Sequence, residues 1–179
     1  ALNKPVNCVT TVSDPEGRPT VMDLIHGLKE RVVPVGRLDY HSEGLLLLTN
    51  DGDFTNGLTS ASHHIPKTYL VKVNGSLTTE QEEQFRSGIP VEGRMTAPAG
   101  LKLIRRAENP WYEVRLIEGR KNQIRVMFKH CGRLVEKLKR VRIGFLELGP
   151  LKPGEFRHLG REEVERFQRL IRRSGKNHE

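Results

Sequence analysis

Four stretches of the chain carry side chains that could do chemistry. The first, Pro34-Val35-Gly36-Arg37-Leu38-Asp39-Tyr40-His41-Ser42-Glu43-Gly44, sets a carboxylate two residues after an arginine. Apolar runs on either side, Arg31 to Leu38 and Leu45 to Thr49, read as short buried strands. Asp39 would then stand where an interior strand gives way to a loop. A strand end holds a side chain rigidly and a loop leaves it accessible, which suits a nucleophile or a base. Arg37 would share its face of the strand. On spacing alone, the commoner use of an Asp before Ser and Gly is to cap nearby backbone N–H groups.

The second stretch, Lys67 to Val73, alternates as a strand, with Tyr69, Val71 and Val73 on one face and Thr68, Leu70 and Lys72 on the other. Taken alone, Tyr69 reads as a half-buried core tyrosine. In the third, Glu118 to Phe128, Asn122 is placed to cap a helix anchored by Ile124, Met127, Phe128 and Cys131. Arg120, Lys121, Arg125 and Lys129 crowd its first turns, where the helix dipole disfavours cations, and an arriving anion would restore the balance. The fourth, Leu134 to Ile143, is extended and basic, with Lys137, Lys139, Arg140 and Arg142 interleaved with Leu138, Val141 and Ile143.

The elements that must position these groups are legible in outline. Leu2 to Val12 reads as a strand broken by Pro5, and Thr20 as the cap of a short helix whose apolar face includes Val21, Leu24 and Leu28. Asp53 could cap a helix to Leu58. Thr78-Thr79-Glu80-Gln81 is a capping box for a helix that stops at Gly88. Ile89 to Glu92, Met95 to Ile104 and Trp111 to Ile117 are strand candidates, and their succession without intervening helices suggests antiparallel pairing. A terminal helix would turn Val164, Phe167, Leu170 and Ile171 inward. The fold class is therefore α+β, a mixed and largely antiparallel sheet with helices. One domain over 1–172 is expected, followed by a frayed basic tail over 173–179.

The 179 residues suffice for one domain or two small lobes around a cleft. Net charge is +8, unevenly spread: residues 1–100 carry nine basic and twelve acidic side chains, the rest twenty-one and ten. A one-sided basic surface points to a polyanion, most often a nucleic acid, although a solvated basic face without a partner looks the same. Cys8 and Cys131 are too few for a disulfide framework or a four-thiolate zinc site, and a cytoplasmic location is expected. Adjacent His63 and His64 lack a spaced third ligand, so no metal is expected. No apolar run approaches a membrane span. The chain opens on Ala1 inside a strand-like run, so an upstream segment is expected to be missing.

Gly36-Arg37-Leu38-Asp39-Tyr40-x-Ser42-Glu43-Gly44 with the leucines, Thr49-Asn50-Asp51-Gly52 after it, resembles the catalytic-aspartate motif of the RsuA/RluB family of RNA pseudouridine synthases. Ser42 stands where the family usually has Thr. The resemblance extends to Asn3-Lys4-Pro5, Lys67-Thr68-Tyr69, Gly119-Arg120-x-x-Gln123-Ile124-Arg125 and Leu138-Lys139-Arg140-Val141-Arg142-Ile143-Gly144, in the family's order. It implies a pseudouridine synthase fold with two lobes flanking a central active-site cleft. It also implies Asp39 as catalytic nucleophile, Arg125 paired with it, Tyr69 facing the target base, Leu138 lining the uracil pocket and Arg37 in support. Arg120, Lys121, Lys129, Lys139, Arg140 and Arg142 would contact RNA. The reaction would be isomerisation of uridine to pseudouridine in ribosomal RNA, 23S favoured over 16S, by a monomer without a cofactor. Many members carry an N-terminal S4-type RNA-binding domain, and none is expected within these 179 residues. The rival readings are a non-catalytic rRNA-binding module used in ribosome assembly and a metal-dependent nuclease using Asp39, Asp51, Asp53 and His64.

Overall fold

A computed structural model describes residues 1–176, which divide into two units: Ala1–Ile65 with the segment from Arg140 onward, and Pro66–Lys139. The strands are β1 (Leu2–Lys4), β2 (Val33–Val35), β3 (Glu43–Thr49), β4 (Lys67–Val73), β5 (Pro90–Val91), β6 (Arg94–Met95), β7 (Gly100–Arg105), β8 (Trp111–Leu116), β9 (Val135–Ile143) and β10 (Leu146–Glu147). The α-helices are α1 (Gly52–Thr59), α2 (Thr79–Ser87), α3 (Gln123–His130) and α4 (Arg161–Lys176). The α+β class follows.

In the first unit, β3 is the central strand. β1 pairs antiparallel with its first half, Lys4 opposite Gly44, and β2 with its second, Val35 opposite Leu47. Leu45, Leu46 and Leu47 are at most 2% exposed, so both faces of β3 are covered, as an uninterrupted apolar run requires. Its core joins Val35, Leu45, Leu47, Phe54, Leu58, Ile65, Ile143, Leu146, Leu148 and Phe167. Phe167 of α4 packs its ring edge-on to Phe54 of α1, 5.6 Å between centroids, and lies 4.4 Å from Phe145. Leu170 and Ile171 continue that contact, as the helical spacing predicts.

Several boundaries differ from the sequence expectation for identifiable reasons. Asp51, not Asp53, caps α1: its Oδ1 accepts the Asp53 and Phe54 amides at 3.0 and 3.2 Å. The helix expected after Thr20 is a single 3-10 turn, Val21–Leu24, because Ile25 is already extended. Asn7 takes φ 60° and Gly36 φ 72°, and the latter ends β2 at Val35, three residues short of the expected strand end at Leu38. Where fraying was expected from residue 173, helix continues to Lys176, because α4 packs along the 3-10 turn Ala61–His63. The remaining tail residues, 177–179, lie outside the described residues.

In the second unit, β4 pairs antiparallel with β8 and β8 with β7. Tyr69, Val71 and Val73 are all buried on one face of β4, as the alternation predicts. The Thr78–Gln81 capping box is formed, and Gly88 closes α2 at φ 125°. Phe128 of α3 lies between Phe85 and Tyr112, with centroids 4.9 and 5.8 Å away. The Tyr112 hydroxyl accepts the Leu77 amide at 2.9 Å. β5 and β6 form a separate hairpin. No helix among the described residues is long and apolar enough to cross a membrane.

Two predictions follow from the packing of the first unit. Gly44 has φ 112°, and a Cβ there would overlap the Arg140 carbonyl and sit 2.6 Å from the Arg140 amide nitrogen. Gly44→Ala is expected to lose roughly 2–4 kcal/mol in urea titrations, from strain and collision together. Glu163 receives both Arg157 terminal nitrogens at 2.8 Å and the Gly160 amide at 2.9 Å. Arg157 first, then that amide, holds its carboxyl at about 2 rather than the ordinary 4.5. Its folded value is depressed, so its contribution is present above 4.5 and is lost as pH falls towards 2. Glu163→Gln is expected to cost about 1 kcal/mol or less at pH 7 and nothing near pH 2, as read from denaturation midpoints.

Candidate active site

Asp39 sits half-buried on an irregular turn between β2 and β3. Its carboxylate is not positioned by a strand. Instead the backbone around it is pinned from several directions. The Leu38 carbonyl accepts from the Thr10 hydroxyl at 2.7 Å, and the Leu38 amide donates back to that oxygen at 3.3 Å. The Ser42 amide donates to the Asp39 carbonyl at 3.0 Å, and the Asn7 amide to the Tyr40 carbonyl at 2.8 Å.

The strongest tie comes from Lys4, the last residue of β1, whose side chain is completely buried. Its Nζ donates to the carbonyls of Pro5 at 2.9 Å, Asp39 at 3.1 Å and Ser42 at 2.7 Å. An ammonium has three N–H donors, so this set matches its full capacity. Burial lowers the Lys4 pKa, with Cys8, Asp39 and Glu43 acting in the opposite direction. Beyond its quotation in the Asn-Lys-Pro match, sequence reading gave Lys4 no role. The one available signal was its place in that match, since the acceptors lie 35 and 38 residues away.

Arg37 does not share a strand face with Asp39, because Gly36 leaves the strand at positive φ before either residue; Arg37 is exposed. Ser42 is buried at 1% exposure. Of the carboxylates in the nuclease reading, Asp51 is engaged in capping α1. Among the described residues no group of three His, Cys, Asp or Glu could hold a metal ion.

Tyr69, Arg125 and Leu138 belong to the second unit. Tyr69 is 9% exposed on β4, opposite Val114 of β8. Leu138 is 7% exposed on β9. Arg125 is half-buried in the first turn of α3. Asn122 precedes that helix in the left-handed region, φ 53°, without a side-chain cap. Gln123 organises the start of the helix instead. Its Oε1 accepts the Arg120 amide at 3.0 Å, and its Nε2 donates to Glu118 Oε1 at 2.8 Å. That same Glu118 oxygen accepts the Ala97 amide at 2.8 Å.

The six basic residues expected on the RNA face divide into two groups. Lys121 and Lys129 are exposed and Lys139 is half-buried. Arg120 instead holds the β5–β6 hairpin: its terminal nitrogens donate to the carbonyls of Val91, Arg94 and Met95 at 3.4, 3.1 and 2.6 Å. Arg140 is 5% exposed and donates Nε to the Leu45 carbonyl at 2.8 Å, so it ties β9 to β3 rather than standing on the surface. Arg142 pairs with Glu147 at 2.8 Å, which offsets its charge.

The RNA pseudouridylate synthase family model matches residues 1–130. The ribosomal large subunit pseudouridine synthase B of Bacillus subtilis is 40% identical over 179 residues, covering 98% of this chain and 73% of its own length. The dual-specificity RNA pseudouridine synthase RluF of Escherichia coli is 38% identical, covering 97% of this chain and 58% of its own length. A crystal structure of a pseudouridylate synthase superposes with TM-score 0.83 at 33% identity, over 93% of this chain and 71% of that one. On these matches the chain belongs to the RsuA/RluB family and is an RNA pseudouridine synthase.

Proposed function

We propose that the enzyme isomerises a specific uridine of ribosomal RNA, 23S rather than 16S, with Asp39 as the nucleophile. The large-subunit name of the Bacillus subtilis relative supports the choice of RNA. The anchored turn around Asp39, clamped by the buried ammonium of Lys4, carries the catalytic assignment. A nucleophile gains from a fixed trajectory, and here the backbone on both sides of the carboxylate is immobilised.

In the reaction the bond between uracil N1 and the ribose anomeric carbon breaks. The base turns, and its carbon 5 joins that ribose carbon. The hydrogen on carbon 5 leaves to solvent as a proton and N1 takes one up, so product and substrate are isomers. No electron acceptor or group donor is consumed. The target base must first leave its stack, which costs a few kcal/mol. Phosphate neutralisation by Lys121, Lys129 and Lys139 offsets that cost. Tyr69 offers the extruded base an aromatic face and Leu138 an apolar wall. Arg125 is assigned the role of partner to Asp39, with Arg37 in support. The enzyme acts as a monomer in the cytoplasm.

Asp39→Asn is expected to keep the fold and the RNA affinity while abolishing tritium release from ribosomal RNA labelled at uracil carbon 5. Retained release would remove Asp39 from its role. Lys4→Met leaves the Asp39 and Ser42 carbonyls without their buried donor and is expected to destabilise the protein by roughly 1–3 kcal/mol. The same variant should lower the turnover rate more than it raises the apparent Michaelis constant; an unchanged rate in the folded variant would separate the clamp from catalysis.

A further inference from the structure

Helix α4 presents two unlike faces. One carries Phe167, Leu170 and Ile171 into or against the core of the first unit. The other carries Arg169, Arg172, Arg173 and Lys176, all exposed. Spacings of three and four residues make these four neighbours on one side of a helix, with Cβ atoms roughly 5–6 Å apart. Earlier cations on or beside α4 have partners: Arg161 pairs with Glu165 at 3.0 Å, Arg157 with Glu163 at 2.8 Å, and Arg166 lies 4.3 Å above the Phe145 ring. Among the described residues, none of the last four cations has a carboxylate partner.

The helix dipole accounts for part of this. Arg173 and Lys176 stand in the last turn, where the unsatisfied carbonyls favour positive charge. The dipole does not account for Arg169 and Arg172, which lie further back and add like-charge neighbours at three and four residues. An external polyanion would relieve the mutual repulsion of such a cluster. The face is also rigidly presented, because Phe167 is fully buried against Phe54 and Phe145. It lies beyond the segment matched by the family model, which ends at residue 130.

We propose that the face of α4 bearing Arg169, Arg172, Arg173 and Lys176 is a docking surface for the phosphate backbone of the substrate RNA, away from the reacting uridine. This rests on the reading of ribosomal RNA as substrate. The surface contributes affinity and registration without sequence readout, since guanidinium and ammonium groups contact phosphates and leave base edges unread.

The test is the triple variant Arg169→Gln/Arg172→Gln/Arg173→Gln in the whole chain. Binding to transcribed 23S ribosomal RNA is measured between roughly 50 and 200 mM salt. The slope of log affinity against log salt is expected to become shallower by roughly 2–3, about 0.7–0.9 for each cation removed. Tritium release at saturating RNA should stay at the wild-type rate while the Michaelis constant rises. Wild-type affinity and slope in the triple variant would overturn the proposal. So would loss of binding to phosphatidylserine vesicles with RNA binding intact, which would assign the face to an anionic membrane. If the triple variant melts early, Arg172→Gln alone should reduce the slope by about 0.7–0.9, and an unchanged slope overturns the proposal equally. The two readings fail separately. Loss of the slope effect in an enzyme that still releases tritium removes only the α4 surface, and tritium release by Asp39→Asn removes only the catalytic role.

Discussion

Burying the ammonium of Lys4 is the most demanding feature of the first unit. Transfer of a bare cation from water into a protein interior costs several kcal/mol even after relaxation, and Lys4 has no exposed surface. What makes the arrangement stable is a cage of three carbonyl oxygens, two of them from the turn that carries Asp39. The dependence runs both ways. The turn supplies two of the acceptors that let the lysine be buried, and the lysine holds the turn in a conformation that presents both. β1 and the beginning of β3 are held to the same geometry, because Lys4 lies opposite Gly44 in their ladder.

Much of the scaffold was legible because it is written in local patterns. The leucine run of β3, the alternation of β4, the capping box of α2 and the apolar spacing in α3 and α4 each depend on residues within a dozen positions of one another. The errors share a different origin. Arg120 and Arg140 look like surface cations in sequence and Lys4 carries no reading there at all, yet each holds backbone carbonyls contributed from 25 to 95 residues away. No local window contains that information. The expected face-sharing of Arg37 and Asp39 failed for a smaller reason, since one glycine in the left-handed region ended the strand early. Asp51 and Asp53 are equally good caps on paper, and only the course of the chain after β3 decides between them.

The basic character of the second half of the chain therefore has more than one cause. Some of it is internal wiring, where a guanidinium reaches several carbonyls at once because its planar fork can do so. Arg120 closing a hairpin and Arg140 joining two strands are of this type. Some is balanced by nearby carboxylates, as for Arg142 and Arg157. Only the remainder, including Lys121 in the turn before α3 and Lys129 on that helix, is free to act outward. Net charge overstates the field offered to a nucleic acid, and the count that matters is of cations with no internal task.

The first unit is discontinuous in the chain: Ala1–Ile65 share a core with residues beyond Arg140. Phe54 cannot complete its packing until Phe167 exists. On a translating ribosome the early residues must therefore wait, partly unburied, while the intervening unit emerges whole and can close first. The region bearing Asp39 would mature after the intervening unit, only once α4 has cleared the exit tunnel.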